Sequence, residues 1–395
     1  QSIMDYYKAA SMGLDIKKRV LLLLGPPGGG KSMFLSMLKD GLNKYTRTEK
    51  GAMYKIKSCP INEDPLHLIE DPDVRKEIWK NYKIKIEGKL CPYCKMRLEE
   101  DWKHNLAEVE VERFFIDEET RVGIGTFAPS EENDMVELYG SLNQRKVIEI
   151  GDESDPRAYD FTGELQKANR GIMEFIEVLK ADPSFLHVLL TLAEEQQFKT
   201  PRFPLIYVDE ALIAHTNEGE FVRFISEKEN EAIVDRLYIV RMPYNMDYKN
   251  EELIYHSAIK NKLVVENIKV HPGAIRLCSL FAIHTRRSKE LINGKRDPLR
   301  DGMQGISPRF ILNSIAIAMV KIKEVDGTGT LTPAIMKETL VELLDDYPIL
   351  TPDLREEYIG KVTYIYDKFQ DVLNTMSVDD IKQDKLMERG LRNLL

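Results

Sequence analysis

Cysteine is scarce, four in 395 residues. That is too few for a disulfide-built scaffold, so the small secreted class is excluded and a reducing compartment is favoured. Long apolar runs are missing too: stretches such as Val20 to Leu24 fall far short of the roughly 20 residues a membrane-spanning helix needs. No charged-then-apolar leader opens the chain, so the cytoplasm is the expected compartment. Positive charge is not in excess. With 56 Lys and Arg against 65 Asp and Glu, the formal net charge is −9, which disfavours binding nucleic acid by bulk electrostatics. The seven histidines show no ligand spacing such as H-x-x-x-H, and no internal repeat stands out. The first residue is Gln1 rather than Met, as in a piece of a longer protein.

What is present is ordinary globular material, 43% hydrophobic and 31% charged, enough for two or three domains at roughly 150 residues each. Val20 to Leu24 is an apolar run before glycines, as a buried parallel strand should look. Phe34, Leu35, Leu38 and Leu42 then recur at helical spacing. Between them lies Gly25-Pro26-Pro27-Gly28-Gly29-Gly30-Lys31-Ser32, a full G-x-x-x-x-G-K-[ST] motif. Glycines let the backbone wrap phosphate oxygens with N–H groups pointing inward at a helix N-terminus. The stretch Gly25 to Met33 is therefore expected to bind ATP, with Lys31 on the β and γ phosphates and the Ser32 hydroxyl on Mg²⁺.

Such a loop needs an acidic partner on a neighbouring strand, and two segments offer one. Leu205 to Glu210 reads as four apolar residues followed by Asp209-Glu210. Ile172 to Glu177 ends on Glu177, with Ile176 where a metal-side Asp would stand. Context favours Glu177, because a leucine-rich helix from Val178 to Phe198 follows it. The other pair stays open, and Asp209 is expected near the nucleotide side of the sheet in either case. Ala211 to Thr216 reads as a further strand ending at Asn217, whose amide can face a γ-phosphate or its attacking water.

The architecture expected is α/β: a P-loop parallel sheet flanked by helices, with an insertion and a C-terminal helical lid. The core spans residues 1–250 with the insertion at about 55–150, the lid spans 251–345, and 346–395 begins a further helical region. Within the insertion, Cys91-Pro92-Tyr93-Cys94 is half a zinc site. Cys59 and His104 could complete it, two subunits could share it, or it is a turn with two ordinary thiols. The basic run from Arg286 to Arg296 reads as a solvated loop, since no interleaved aromatics accompany it.

Ala168-Asn169-Arg170-Gly171, Glu177, the leucine helix and Glu194-Glu195-Gln196-Gln197 resemble the central stretch of AAA+ ATPases of the chelatase and MoxR types. More narrowly, Pro60 to Leu66, Cys91 to Cys94, Thr120 to Thr126, Glu153 to Tyr159 and Ala214 to Glu218 resemble the PrkA family, described as serine protein kinases. The resemblance implies that Glu177 polarises the attacking water, that Asn217 (sensor 1) orients it, and that Arg309 (sensor 2) contacts the γ-phosphate from the lid. It also implies that Arg236 is an arginine finger acting in trans, which requires a homo-oligomeric ring. The plainer readings are an ion pair of Arg236 with Asp235 or Glu231, and a simple salt bridge for Arg309.

Three functions follow: an ATP-hydrolysing motor acting on a protein partner, a protein-serine kinase, and a nucleotide-regulated binding module. A eukaryotic-type kinase needs H-R-D-x-x-x-x-N and D-F-G. Neither occurs here; Asp160-Phe161-Thr162 is the nearest approach.

Overall fold

The computed structural model describes residues 2–12, 14–128, 135–181, 183–199, 205–262, 267–288, 291–292, 295–296, 300–326 and 329–377. Two compact units emerge, residues 1–24 with 31–241, and residues 25–30 with 242–395.

The longer strands of the first unit are β1 (Val20–Leu24), β2 (Met53–Ile56), β3 (Val111–Phe114), β4 (Ile124–Phe127), β5 (Ile172–Ile176), β6 (Ala211–Thr216) and β7 (Leu237–Arg241). Five of them form one sheet in the order β7-β1-β6-β5-β4, with every pairing parallel. All five residues of β1 are at most 1% exposed, which is why that strand carries no polar alternation: a parallel sheet is covered on both faces. The helices α1 (Lys31–Thr46), α2 (Pro92–Glu100), α3 (Pro183–Glu195) and α4 (Glu218–Ser226) also belong to this unit. Ligands of such sheets bind outside the carboxyl ends of the strands. That edge is defined by Leu24, Ile176, Thr216 and Arg241, the last residues of β1, β5, β6 and β7.

The expected insertion at 55–150 needs correction, because it contains β4, an edge strand of the central sheet paired with β5 from Ile124↔Ile172 to Phe127↔Phe175. Inserted material therefore divides into a part before β4 and a part after it. The strand escapes notice because Ile-Gly-Thr-Phe lacks a strand signature; glycine weakens strand patterning. Gly125 is required there, since a Cβ would lie 2.3 Å from the Glu164 carbonyl and 2.8 Å from Met173 Sδ. In the first part, β2 and β3 pair antiparallel and bracket a helix at Pro72–Tyr82 together with α2.

The second unit is helical: Tyr248–Lys262, α5 (Pro272–Arg286), α6 (Pro308–Asp326), α7 (Pro333–Asp345) and α8 (Pro352–Thr375), with a small parallel pair of Ile268–Val270 and Gly329–Leu331. The expected break between 345 and 346 is not seen. Val362, Ile365 and Leu373 of α8 share one buried core with Ile275, Phe281, Ile315 and Leu340. Nor does this unit begin at 251, for it includes Met242 onward. Residues 378–395 lie outside the described residues. Among the described residues, no helix is long and apolar enough to cross a membrane.

Candidate active site

The phosphate motif leaves β1 at Leu24 and runs directly into α1 at Lys31. Gly28 and Gly30 have φ of +75° and +85°, a region that L side chains rarely occupy. Gly29 N donates to the Pro26 carbonyl at 3.1 Å, closing the turn. A Cβ on Gly25 would lie 2.2 Å from the Met242 carbonyl, so the backbone approaches there as only glycine allows. The Tyr244 hydroxyl donates to the Pro27 carbonyl at 2.6 Å, and a Cβ on Gly28 would sit 3.7 Å from Ser307 Cβ.

Arg286 braces this arrangement. It is fully buried against Glu251 at 2.6 Å, donates to the carbonyls of Asn245 at 2.8 Å and Ile306 at 3.0 Å, and lies 4.7 Å over the Tyr244 ring. It thereby anchors both segments that touch the loop. This corrects the reading of Arg286 as part of a solvated basic run. Arg309 is exposed one residue into α6, two residues beyond the Ser307 that neighbours Gly28.

In the first unit, Lys31 and Ser32 open α1, and Ser32 and Met33 are exposed. Burial lowers the Lys31 pKa while the Glu177 charge raises it. Glu177 follows β5 in the left-handed conformation, φ +51°. Its amide donates to the His215 carbonyl at 3.0 Å, and its carboxylate pairs with Lys180. Asn217 follows β6, and its Oδ1 accepts from the Glu220 amide at 2.9 Å as the N-cap of α4. Capping fixes the amide orientation and makes the NH₂ group the end that can donate to a ligand. Since β5 and β6 are adjacent and β6 is adjacent to β1, Glu177 and Asn217 share the sheet edge with the strand that precedes the loop.

Asp209 and Glu210 do not. They precede Ala211, the first residue of β6, and so stand at the amino edge of the sheet, contrary to the expectation that Asp209 lies on the nucleotide side. The segment Leu205 to Val208 is not a central strand; Ile206–Tyr207 pairs antiparallel with Gln197–Phe198. Burial pushes the Glu210 pKa well above its ordinary value, with the Asp209 charge adding to it. Glu174, mid-strand in β5, is occupied by Lys39 at 2.7 Å and His215 at 3.3 Å. Arg236 also stands at the amino edge, one residue before β7, and pairs with Glu194 rather than with Asp235 or Glu231. Its Nη1 donates to the Ala232 carbonyl at 2.7 Å.

The residues present fit a nucleotide polyphosphate. Two positive-φ glycines build the loop, and Gly30 has open space where a Cβ would stand. For a divalent cation the fit is thinner, with the Ser32 hydroxyl as an oxygen donor and an isoleucine at 176. Sequence reasoning missed Tyr244 and Arg286, because their roles depend on packing with segments far away in the chain. It also missed the work of Asn169 and Arg170. Asn169 donates to the Ile61 carbonyl at 2.7 Å and accepts from the Asp209 amide at 2.9 Å, while Arg170 pairs with Asp64 at 3.1 Å. These residues bind the inserted segment to the approach into β5.

A family model described as the PrkA AAA domain matches residues 1–292. The chain is 40% identical over 396 residues to the ATP-dependent protease PrkA of Bacillus subtilis (strain 168), covering 93% of this chain and 62% of that protein. It is 32% identical over 295 residues to the serine/threonine kinase YeaG of Escherichia coli (strain K12), covering 72% of this chain and 45% of that protein. It thus spans only part of the length of these relatives. Among solved structures, NtrX of Brucella abortus in complex with ATP aligns over 95% of this chain and 62% of that one, at 12% identity and a TM-score of 0.40. With its first 292 residues matched by that family model and so close a relative along most of its length, the chain belongs to the PrkA AAA family.

Proposed function

We propose that this chain binds and hydrolyses ATP at the Gly25 to Met33 loop and couples turnover to action on a protein partner. The observation that carries the reading is the placement of Glu177 and Asn217 side by side at the carboxyl ends of adjacent strands. Loop amides and Lys31 hold the phosphates. Glu177 takes the proton of the attacking water, Asn217 orients that water, and Arg309 contacts the γ-phosphate. The Ser32 hydroxyl would hold Mg²⁺, which would supply neutralisation of phosphate charge. With Ile176 offering no oxygen, turnover is slow.

Arg236 stands at the edge opposite Lys31 within its own sheet, so it serves the nucleotide of another copy in a head-to-tail ring. It must leave Glu194 to do so. A cytoplasmic placement belongs to the same proposal.

A second reading, protein-serine phosphotransfer, is favoured by the name of the Escherichia coli relative. A serine hydroxyl then takes the position of the water. Purified protein with γ-labelled ATP and Mg²⁺ separates the two, with Lys31→Ala as control. Phosphate release per chain that rises with protein concentration, without bound label, supports the hydrolytic ring. Label retained on serine and lost in Lys31→Ala supports phosphotransfer and removes the water-activating role of Glu177. Nucleotide binding with neither product leaves a nucleotide-regulated binding module.

A further inference from the structure

Three thiols from distant parts of the chain meet in the inserted segment before β4. Cys59 follows β2 by three residues, Cys91 is the N-cap of α2, and Cys94 lies in its first turn. Their sulfurs all lie within 4.8 Å of one another, and the residues are 3%, 2% and 0% exposed. The Cys59 and Cys91 sulfurs are 3.8 Å apart. That is far longer than a disulfide bond of about 2.05 Å. It matches the sulfur–sulfur edge of a tetrahedron with zinc–sulfur bonds of about 2.3 Å, an edge of about 3.8 Å.

The surroundings suit thiolates. The Cys94 amide donates to the Cys91 sulfur at 3.4 Å. A hydrogen bond to a sulfur favours its charged form. Glu63 stands beside the cluster and is not one of its members. One of its oxygens accepts from the Cys91 amide at 2.5 Å and the other is 2.6 Å from His67 Nδ1. His104, the fourth ligand considered from sequence, is exposed and is not part of the cluster.

We propose that Cys59, Cys91 and Cys94 hold one structural Zn²⁺ through their three thiolates. The burial of all three thiols makes the site structural, since catalytic zinc keeps a position open to substrate. Binding displaces the thiol protons to solvent. The metal closes the 32-residue separation between Cys59 and Cys91, which carries the helix Pro72–Tyr82. It fixes the turn whose Ile61 carbonyl and Asp64 carboxylate hold Asn169 and Arg170. Those two residues lead into β5, the strand that Glu177 follows.

The test uses the full chain, expressed with zinc in the medium and purified without chelator. Elemental analysis is expected to find one zinc per chain, released when a mercurial titrates the thiols. Exchange for Co²⁺ is expected to give thiolate charge-transfer bands and the intense visible bands of a tetrahedral site. Cys59→Ser and Cys94→Ser lose the zinc, while Cys278→Ser, a buried thiol in the second unit, keeps it. Should a serine variant fail to fold, the zinc content and Co²⁺ spectrum of the unaltered chain decide the matter alone. Folded protein that contains no zinc and gives no thiolate–Co²⁺ bands overturns the site, and stoichiometric iron overturns zinc as its metal.

Discussion

Replacing Glu177 by Gln removes a proton acceptor and keeps the shape of the side chain. On the proposed chemistry, turnover falls by about 10²–10⁴-fold, the ordinary contribution of a general base. That is roughly 3–5 kcal/mol of barrier at about 1.36 kcal/mol per decade. ATP binding persists, because the loop and Lys31 are untouched. Folding persists too: the ion pair of Glu177 with Lys180 joins side chains 49% and 45% exposed, and exposed pairs contribute about 0–1 kcal/mol. The companion variants are Asp209→Asn and Glu210→Gln. Six extended residues of β6, at roughly 3.3 Å each, put about 20 Å between Asp209 and the edge that carries Glu177. Neither companion therefore changes the chemical step. Phosphate release at saturating ATP, read beside fluorescent-nucleotide binding and a melting curve, gives all three quantities. Normal hydrolysis by Glu177→Gln, together with loss in Asp209→Asn or Glu210→Gln, refutes the assignment and the edge argument behind it.

Lys39→Met leaves Glu174, whose side chain is 8% exposed, with His215 as its remaining partner. Urea unfolding should show a loss of roughly 3–5 kcal/mol, as expected when one member of a buried pair is removed; Lys39→Met with Glu174→Leu should recover most of it. Arg236→Ala should preserve ATP binding and cut protein-concentration-dependent turnover by about 10³-fold or more, the scale of an arginine finger. Glu194→Gln should leave turnover intact or raise it, because it releases that arginine. Burial, aided by the Lys361 and Arg287 charges, brings the His284 pKa from 6.5 down to about 4. The unfolded chain then binds more protons between these values, so stability is complete above pH 6.5 and falls as pH drops toward 4. Discounted for partial exposure, the loss is about 1–2 kcal/mol, and denaturation midpoints of His284→Gln should be flatter across that range.

The phosphate loop is legible in the sequence because its chemistry is local: eight consecutive residues, an apolar strand before and an amphipathic helix after. Asn217 is legible for the same reason, as the polar residue that ends an apolar run. The choice between Glu177 and Asp209-Glu210 is harder, since both follow apolar residues. Only strand order separates them, by placing one acid after β5 and the other two before β6. Cys59 stands 32 residues from Cys91, and periodicity says nothing about a pairing of that kind. The partner of Arg236 is not a chain neighbour but Glu194, 42 residues away at the end of α3. The placement of α8 is likewise decided by Gly273, where a Cβ would lie 1.9 Å from the Leu373 carbonyl; a charged amphipathic helix does not announce which core it joins.

The hydrogen bond from Tyr244 to the Pro27 carbonyl joins residues 217 positions apart. On the ribosome, at about 5–20 residues per second, roughly 10–40 s pass between the synthesis of its two ends. During that interval the growing chain already displays every letter of the phosphate motif. It does not yet possess Met242, Tyr244 or Ser307, against which the loop rests. Nucleotide affinity is thus acquired late in translation, and a nascent chain halted before residue 242 carries the motif without the support that shapes it.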